Sequence, residues 1–357
     1  VPIGFLPIVT AMTYIVERDP VRAFVLAGPR AGSVQEVPDP VAADGQVIVD
    51  IHRAGVCGTD VEFWTGDMAY LRQGHARYPI RLGHEWCGTV SAAGRGVDGS
   101  WLGRRVTGDT MIGCGRCRRC RSGRHNVCAD RVEIGVRGGF PGALAEQLAV
   151  PATALLALPA DVDDTAGAMV EPGGNALRCV RAAALAPGDR ALVLGTGTIG
   201  LLAAAFARAA GAEVHLVGNA PRSLDFARSL GFAGAWTEAD LPPLAWDAVV
   251  DATNAAALPA RALDLAEPGG RVVYIGLAGQ PSSIDTRDLV LKDVTAVGIL
   301  AASQGLAGAI AGYAARDVDP RPLVAATVGL DQVAEVLDGA RPVRAGAGPK
   351  IHVDPRS

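Results

Sequence analysis

The stretch Val193-Leu-Gly-Thr-Gly-Thr-Ile-Gly-Leu-Leu-Ala-Ala-Ala, running to Ala205, constrains what this chain can fold into more than any other. A short apolar run, Arg190 to Val193, leads into Gly195, Gly197 and Gly200, and an Ala-rich helical pattern opens around Thr198 and Ile199. That is a buried strand, a tight turn and a helix N-terminus in the order a dinucleotide needs. Gly195 permits the turn, Gly197 lets the backbone approach a pyrophosphate, and Gly200 lets the helix lie against the strand. In a chain with 45 glycines the bare pattern is weak. The context strengthens it: strand patterns at Glu213–Val217, Asp247–Val250 and Arg271–Ile275, with a helix at Ser223–Leu230. The expectation is a doubly wound parallel sheet of Rossmann type.

The residues after the second of these strands bear on which nucleotide binds. An NAD-specific site usually places Asp or Glu there, to hold both ribose hydroxyls. Here the place is Gly218, followed by Asn219, Ala220, Pro221 and Arg222. Without a carboxylate nothing repels a 2′-phosphate, and Arg222 offers it a charged fork. NADP is favoured on this ground; NAD, with Arg222 as a solvated first-turn residue, is the alternative.

At 357 residues the chain is long for one core, and two domains are the natural expectation. Basic residues number 33 against 37 acidic, a balance that gives no reason to expect a nucleic-acid or anionic-membrane partner. No apolar run approaches the ~20 residues of a membrane span. Val1 to Ala11 is apolar without a basic leader, and reads as an extension or an alternative start upstream of Met12. Seven cysteines, four of them clustered, suit metal ligation better than a disulfide framework and point to a reducing cytoplasm.

Before the Rossmann pattern, short β-like runs alternate with turn signals: Arg22–Leu26, Gln46–His52, Val90–Val106 and again Gly139–Pro151. Asp161 to Leu185 is helical in composition, with an expected break at Glu171-Pro-Gly-Gly174. Behind the Rossmann pattern come a helix at Gln304–Ala315, a loop at Pro320–Leu323, a helix at Gln332–Leu337 and a closing strand at Lys350–Val353. The expected division is a β-rich domain over 1–175 with a cysteine lobe at about 108–130, a nucleotide domain over 176–300, and a return to the first domain over 301–357. A cleft between the two is the default place for chemistry.

Cys114-Gly-Arg-Cys117-Arg-Arg-Cys120, then Cys128, is the most specific signal in the sequence. Four thiolates on one short lobe close a tetrahedral zinc shell with no open position, which makes such a site structural. A CxxC redox pair would leave two cysteines unexplained, and an iron–sulfur cluster has no electron-transfer context here. The five arginines between Arg116 and Arg124 read as a solvated lobe balancing the tetrathiolate charge, with an anion or subunit contact as the sharper alternative.

Cys57, His84, Glu85 and Glu171 are too dispersed for spacing to join them. The ordered motifs GVCGTD, GHEW, GCGRCRRCRSGRHNVC, VEPGGNAL and VLGTGTIG resemble the zinc-containing medium-chain dehydrogenase/reductase family over about Val21 to Val353. The resemblance implies a GroES-like catalytic domain with a catalytic zinc beside a Rossmann domain holding the nicotinamide nucleotide. It places Cys57 and His84 on the zinc, with Glu85 or Glu171 as the third protein ligand or the holder of the zinc-bound water. It makes Thr59 the hydroxyl that carries the alcohol proton away, and Asp60 the carboxylate that orients the zinc histidine. The acidic pair favours the polyol, sugar and cyclitol branch, since the alcohol dehydrogenases of the family more often have cysteine where Glu171 stands. Two departures stand out. Glu62 occupies the place where polyol dehydrogenases often carry the outer histidine of the proton relay, and Trp86-Cys87 replaces smaller residues after GHE. Trp64 and Trp86 either narrow a substrate pocket or belong to the core.

The resemblance thus implies a zinc-dependent oxidoreductase passing hydride between a nicotinamide cofactor and a secondary alcohol of a polyol, sugar or cyclitol, as a homodimer or homotetramer. The alternatives are a simple alcohol dehydrogenase or ketone reductase, a non-catalytic nucleotide-binding member of the fold, or a nucleic-acid binder built on the cysteine lobe, which the net charge disfavours.

Overall fold

The computed structural model describes residues 20–357; the N-terminal extension lies outside them. The alternating apolar residues of the first part build two sheets. Val21–Gly28 pairs antiparallel with Ala31–Val37 and with Ile80–Arg81. A seven-stranded sheet runs in the order Leu155–Ala157, Arg105–Gly108, Glu85–Ala93, Gln46–Val56, Lys350–Asp354, Val324–Gly329, with Gln147–Pro151 also on Gln46–Val56. The last strand of the chain therefore inserts beside Gln46–Val56, in register Ile351↔Val56 and Val353↔Ala54. Phe24, Val49, Ile51, Phe63, Trp86, Leu144 and Val353 fill the core around this sheet.

The glycine-rich motif opens a six-stranded, all-parallel sheet. Its order is Gly234–Trp236, Glu213–Val217, Arg190–Leu194, Trp246–Asp251, Ala266–Tyr274, Thr295–Gly298, and its near-continuous apolar strands are what a sheet covered on both faces requires. Helix Thr198–Ala209 follows the first strand, and helix Val170–Ala183 packs against it and against Glu85–Ala93 of the catalytic sheet. That contact links the two halves.

Several expectations need correction. Glu171-Pro-Gly-Gly174 does not break the helix: Val170–Ala183 runs through it, and the interruption falls at Met169, after Asp164–Ala168. Pro172 sits in the first turn, where a proline costs little. Gly173 and Gly174 serve close packing, because a Cβ on Gly173 would lie 2.1 Å from the Tyr313 hydroxyl. The Val90–Val106 strand resolves into Glu85–Ala93 and Arg105–Gly108, separated by a glycine-punctuated turn with a 3₁₀ helix at Gly99–Trp101. Strands Thr295–Gly298 and Val324–Gly329 and helix Thr286–Leu291 carry too little alternation to be seen from sequence.

Candidate active site

Cys57 ends the strand Gln46–Val56 and caps helix Gly58–Thr65, so its thiol stands where strand turns into helix. Asp60, at the third helical position and fully buried, accepts the Cys57 N–H at 2.9 Å through Oδ2. Its Oδ1 lies 3.6 Å from His84 Nδ1, and these two atoms have no other partner. His84 is placed by Gly83, whose φ of 101° and whose contact with Leu144 N (2.6 Å to a notional Cβ) exclude a side chain.

Donor atoms of Cys57, His84 and Glu85 lie within 4.8 Å of one another. Burial opposes charge on His84, but the Asp60 carboxylate and the Cys57 thiol outweigh it and raise its pKa. Surroundings that favour a proton on that ring also favour a dication in its place. The set is one soft thiolate, one imidazole and carboxylate oxygen, which suits zinc with a position left open.

The two acidic residues differ in their company. Glu85 is 1% exposed, and both its oxygens are engaged by Lys350 Nζ, at 2.6 and 2.8 Å. Lys350 also donates to the Val56 carbonyl at 2.9 Å; burial works against its charge, and Glu85 with Cys57 more than restores it. Among the described residues, the Glu171 side chain has only Asn175 as a hydrogen-bond partner, its Oε1 accepting from the amide at 2.9 Å. Burial first, with the Glu85 charge adding to it, raises the Glu171 pKa to about 7, against the pull of His84 and Lys350. It lies outside the 4.8 Å set yet within reach of the same charges.

Thr59 is half-buried in the first turn beside Cys57, and Glu62 follows one turn on, its pKa raised by burial and then by Asp67. Trp86 is core, packed under Gly108; Trp64 is buried with its Nε1 on Asp338 at 3.2 Å. Sequence reasoning missed Lys350, Asn175 and Gly55. A Cβ on Gly55 would fall 2.0 Å from Glu85 Oε2, so glycine makes room for the carboxylate. The pairing of residues 85 and 350 is invisible before the last strand is placed.

The four cysteines of the lobe also gather within 4.8 Å, with Cys117 and Cys128 sulfurs 3.8 Å apart. A tetrahedron with arms of about 2.3 Å has an edge of about 3.8 Å, so the cluster fits a closed zinc shell. Backbone N–H groups of Arg116 and Cys117 lower the Cys114 pKa to about 6. The lobe is fastened to the segment that follows the parallel sheet by Gln304, which donates to Gly123 O and Asn126 Oδ1, and by Asp109, which bridges His125 and Ser303. Arg118, Arg119, Ser122 and Arg124 line a surface cavity of about 340 Å³.

In the nucleotide half, Gly195 has φ 109°, and a Cβ on Gly200 would meet the Gly195 carbonyl at 2.0 Å. Above Gly197 the space is open, and the helix begins at Thr198 and Ile199 with no side-chain cap, leaving its first N–H groups free for an anion. Gly218 sits against Thr196 Oγ1 (2.8 Å to a notional Cβ); Asn219 and Arg222 are exposed, and Arg222 donates to Gly346 O at 3.1 Å.

Residues 43–160 match the family model described as alcohol dehydrogenase GroES-like domain, and 198–312 the one described as zinc-binding dehydrogenase. The chain belongs to this family of zinc-containing medium-chain dehydrogenases, enzymes that act on alcohols with a nicotinamide nucleotide. Among its relatives is an L-threonine 3-dehydrogenase of Idiomarina loihiensis, 32% identical over 74% of this chain and 79% of that protein. A zinc-binding dehydrogenase of Sinorhizobium meliloti bound to NADP superposes with a TM-score of 0.85 at 27% identity, covering 95% and 100% of the two chains. The galactitol-1-phosphate dehydrogenase of Escherichia coli gives 0.83 at 25% identity, over 94% and 100%. No helix among the described residues is long and apolar enough to cross a membrane.

Proposed function

We propose that this enzyme oxidises, or forms by reduction, a secondary alcohol on a polyol, sugar or cyclitol, using NADP. The observation that carries the reading is the acidic pair beside Cys57 and His84. Lys350 already neutralises Glu85, whereas Glu171 is buried with one amide partner and needs a cation. A zinc bound beside Cys57 and His84 would take its third protein ligand from Glu85, whose carboxylate already lies within 4.8 Å of both, or from Glu171, and the Lys350 contact on both Glu85 oxygens favours Glu171. When bound there, zinc supplies a Lewis acid that lowers the pKa of the alcohol. Asp60 orients His84, Thr59 takes the alcohol proton outward, and Glu62 stands at the outer end of that path. Gly195, Gly197, Gly200, Thr198 and Ile199 seat the pyrophosphate; Gly218, Asn219 and Arg222 face the adenosine ribose. A second zinc closes the cysteine lobe.

The threonine-dehydrogenase relatives favour a second reading, a hydroxy amino acid as substrate. A panel of polyols, sugars, cyclitols, L-threonine and simple alcohols, each with both nicotinamide cofactors, tests the two. Turnover of L-threonine well above every polyol and sugar would overturn the first.

The proposed division is a catalytic domain over 1–175 and 301–357 around a nucleotide domain over 176–300. Among the described residues the Rossmann edge strand Thr295–Gly298 is paired on one side only, and Val290 and Leu291, just before it in sequence, stand exposed. An edge of that kind suits pairing with a second copy, as a homodimer or homotetramer. Light scattering should read at least twice the chain mass, falling toward a monomer in Val290→Asp/Leu291→Asp. Seven free thiols suit a reducing cytoplasm.

A further inference from the structure

Helix Pro221–Ser229 starts just past Gly218, at the carboxyl end of the second Rossmann strand, where the adenosine ribose lies in this fold. Arg222, its second residue, donates Nη2 to the carbonyl oxygen of Gly346. That oxygen belongs to the catalytic half, because Gly346 N–H donates to Ala325 O at 2.8 Å, on strand Val324–Gly329. Arg341, from the same C-terminal segment, donates Nη2 to the same oxygen at 2.5 Å and to Gly348 O at 3.0 Å. Two guanidinium groups from different halves of the molecule thus converge on one neutral oxygen. Neither is paired with a carboxylate among the described residues.

Like charges so placed repel. Burial, and after it the Arg222 charge, lowers the Arg341 pKa. A carbonyl accepts one bond from each group, while a guanidinium carries five donors, so most of the donor capacity is unspent. The group that relieves this arrangement is a compact dianion able to accept two parallel bonds from each arm. Gly218, four residues before Arg222, is compatible with such an anion. No carboxylate is there to repel an anion, and there is little room for one, since a Cβ would lie 2.8 Å from Thr196 Oγ1 and 3.2 Å from Leu224 Cδ2.

We propose that Arg222 and Arg341 form a two-armed clamp, one arm from each domain, that holds the 2′-phosphate of NADP(H). This rests on the NADP reading above and adds to it a residue about 120 positions away that no nucleotide motif marks. The phosphate then ties the C-terminal segment of the catalytic domain to the Rossmann domain, and NAD(H) cannot make that tie.

The test is calorimetric binding of adenosine 2′,5′-bisphosphate and of 5′-AMP to the zinc-loaded enzyme, with no turnover involved. Wild type should bind the bisphosphate at least about tenfold more tightly, as expected of one or two charge-assisted bonds. Arg222→Ala and Arg341→Ala should each remove most of that margin, so that the ratio of the two affinities falls toward one. Arg341→Gln separates the roles, because it can still donate to the Gly346 carbonyl but carries no charge. It should behave like Arg341→Ala, and Arg341→Lys should recover part of the loss. If Arg341→Gln binds the bisphosphate like wild type, or Arg222→Ala alone weakens it, the clamp fails while the NADP reading stands. If wild type binds both nucleotides equally, the NADP reading fails and the clamp with it.

Discussion

At the scale of single residues, Glu85 and Glu171 differ in what meets their carboxylates: the Lys350 ammonium for the first, the Asn175 amide for the second. Glu171→Gln keeps size and the Asn175 contact but removes the carboxylate proposed to meet the zinc. It should lower kcat by more than about tenfold with little change in melting temperature; near-normal turnover would make Glu171 a plain helix residue. Lys350→Ala should do the reverse of a mild change. Both partners are almost fully buried, at 3% and 1% side-chain exposure, so removing one strands the other at a cost of about 3–5 kcal/mol. The double variant Glu85→Gln/Lys350→Met should recover much of that in urea unfolding; equal losses in both would show that the pair itself stabilises. Cys57, His84 and Glu85, whose donor atoms gather within 4.8 Å, were joined in the sequence only by the family resemblance of their motifs, and Glu171, joined to them in the same way, lies outside that set. Lys350 was not legible, because its meaning comes from a side-chain contact with Glu85 across 265 positions, made once the last strand pairs with Gln46–Val56, and a lone lysine near a C-terminus reads as solvated.

At the scale of elements, the two metal candidates rest on different supports. Cys57 hangs from a strand and helix cap held by the catalytic sheet, so the scaffold stands without its thiol. The lobe has little regular structure of its own, a two-residue strand at Met111–Ile112, a four-residue helix at Arg118–Arg121 and a 3₁₀ turn, so its fold is expected to depend on the cysteines. Cys57→Ala should therefore abolish turnover with the fold intact. Cys120→Ala should open the lobe and loosen the Gln304 and Ser303 contacts, lowering the thermal midpoint and exposing residues 113–128 to protease. Metal analysis should find two zincs per chain in wild type and one in each variant; fewer than two in active enzyme would end this division of labour. The lobe was readable from spacing alone. The helix through Glu171-Pro-Gly-Gly174 was misread because Pro and Gly ordinarily punctuate helices. What overrides them is tertiary: a proline in the first turn, and glycines that admit Tyr313 and Ala302.

At the scale of the whole molecule, the parallel sheet was legible from its glycine turn and apolar strands, whereas the catalytic sheet was only partly so. Its strands come from both ends of the chain, and the inserted strand Lys350–Asp354 brings buried polar groups into its centre. His352 is the clearest of these. It is fully buried, neither ring nitrogen has a partner among the described residues, and burial, then the charges of Lys350 and Arg53, holds its pKa at about 3. The folded protein thus keeps this imidazole neutral where the unfolded chain protonates it near 6.5. Between those values the unfolded state binds the extra proton, so the associated stability is present above about pH 6.5 and lost as pH falls toward 3. By about pH 4.5 the loss amounts to at most about 2–3 kcal/mol. Asp164, held well below its ordinary range chiefly by its bond to His52, acts in the same direction at lower pH, so the wild-type slope alone does not isolate His352. The difference between wild type and His352→Leu does. At neutral pH the variant should be as stable as wild type or more so, since it removes two unsatisfied buried nitrogens. Between pH 6.5 and 4.5 its urea midpoint should fall less steeply than that of wild type. Parallel curves over that interval would mean that His352 is protonated in the folded enzyme and hydrogen-bonded to groups that these contacts do not include.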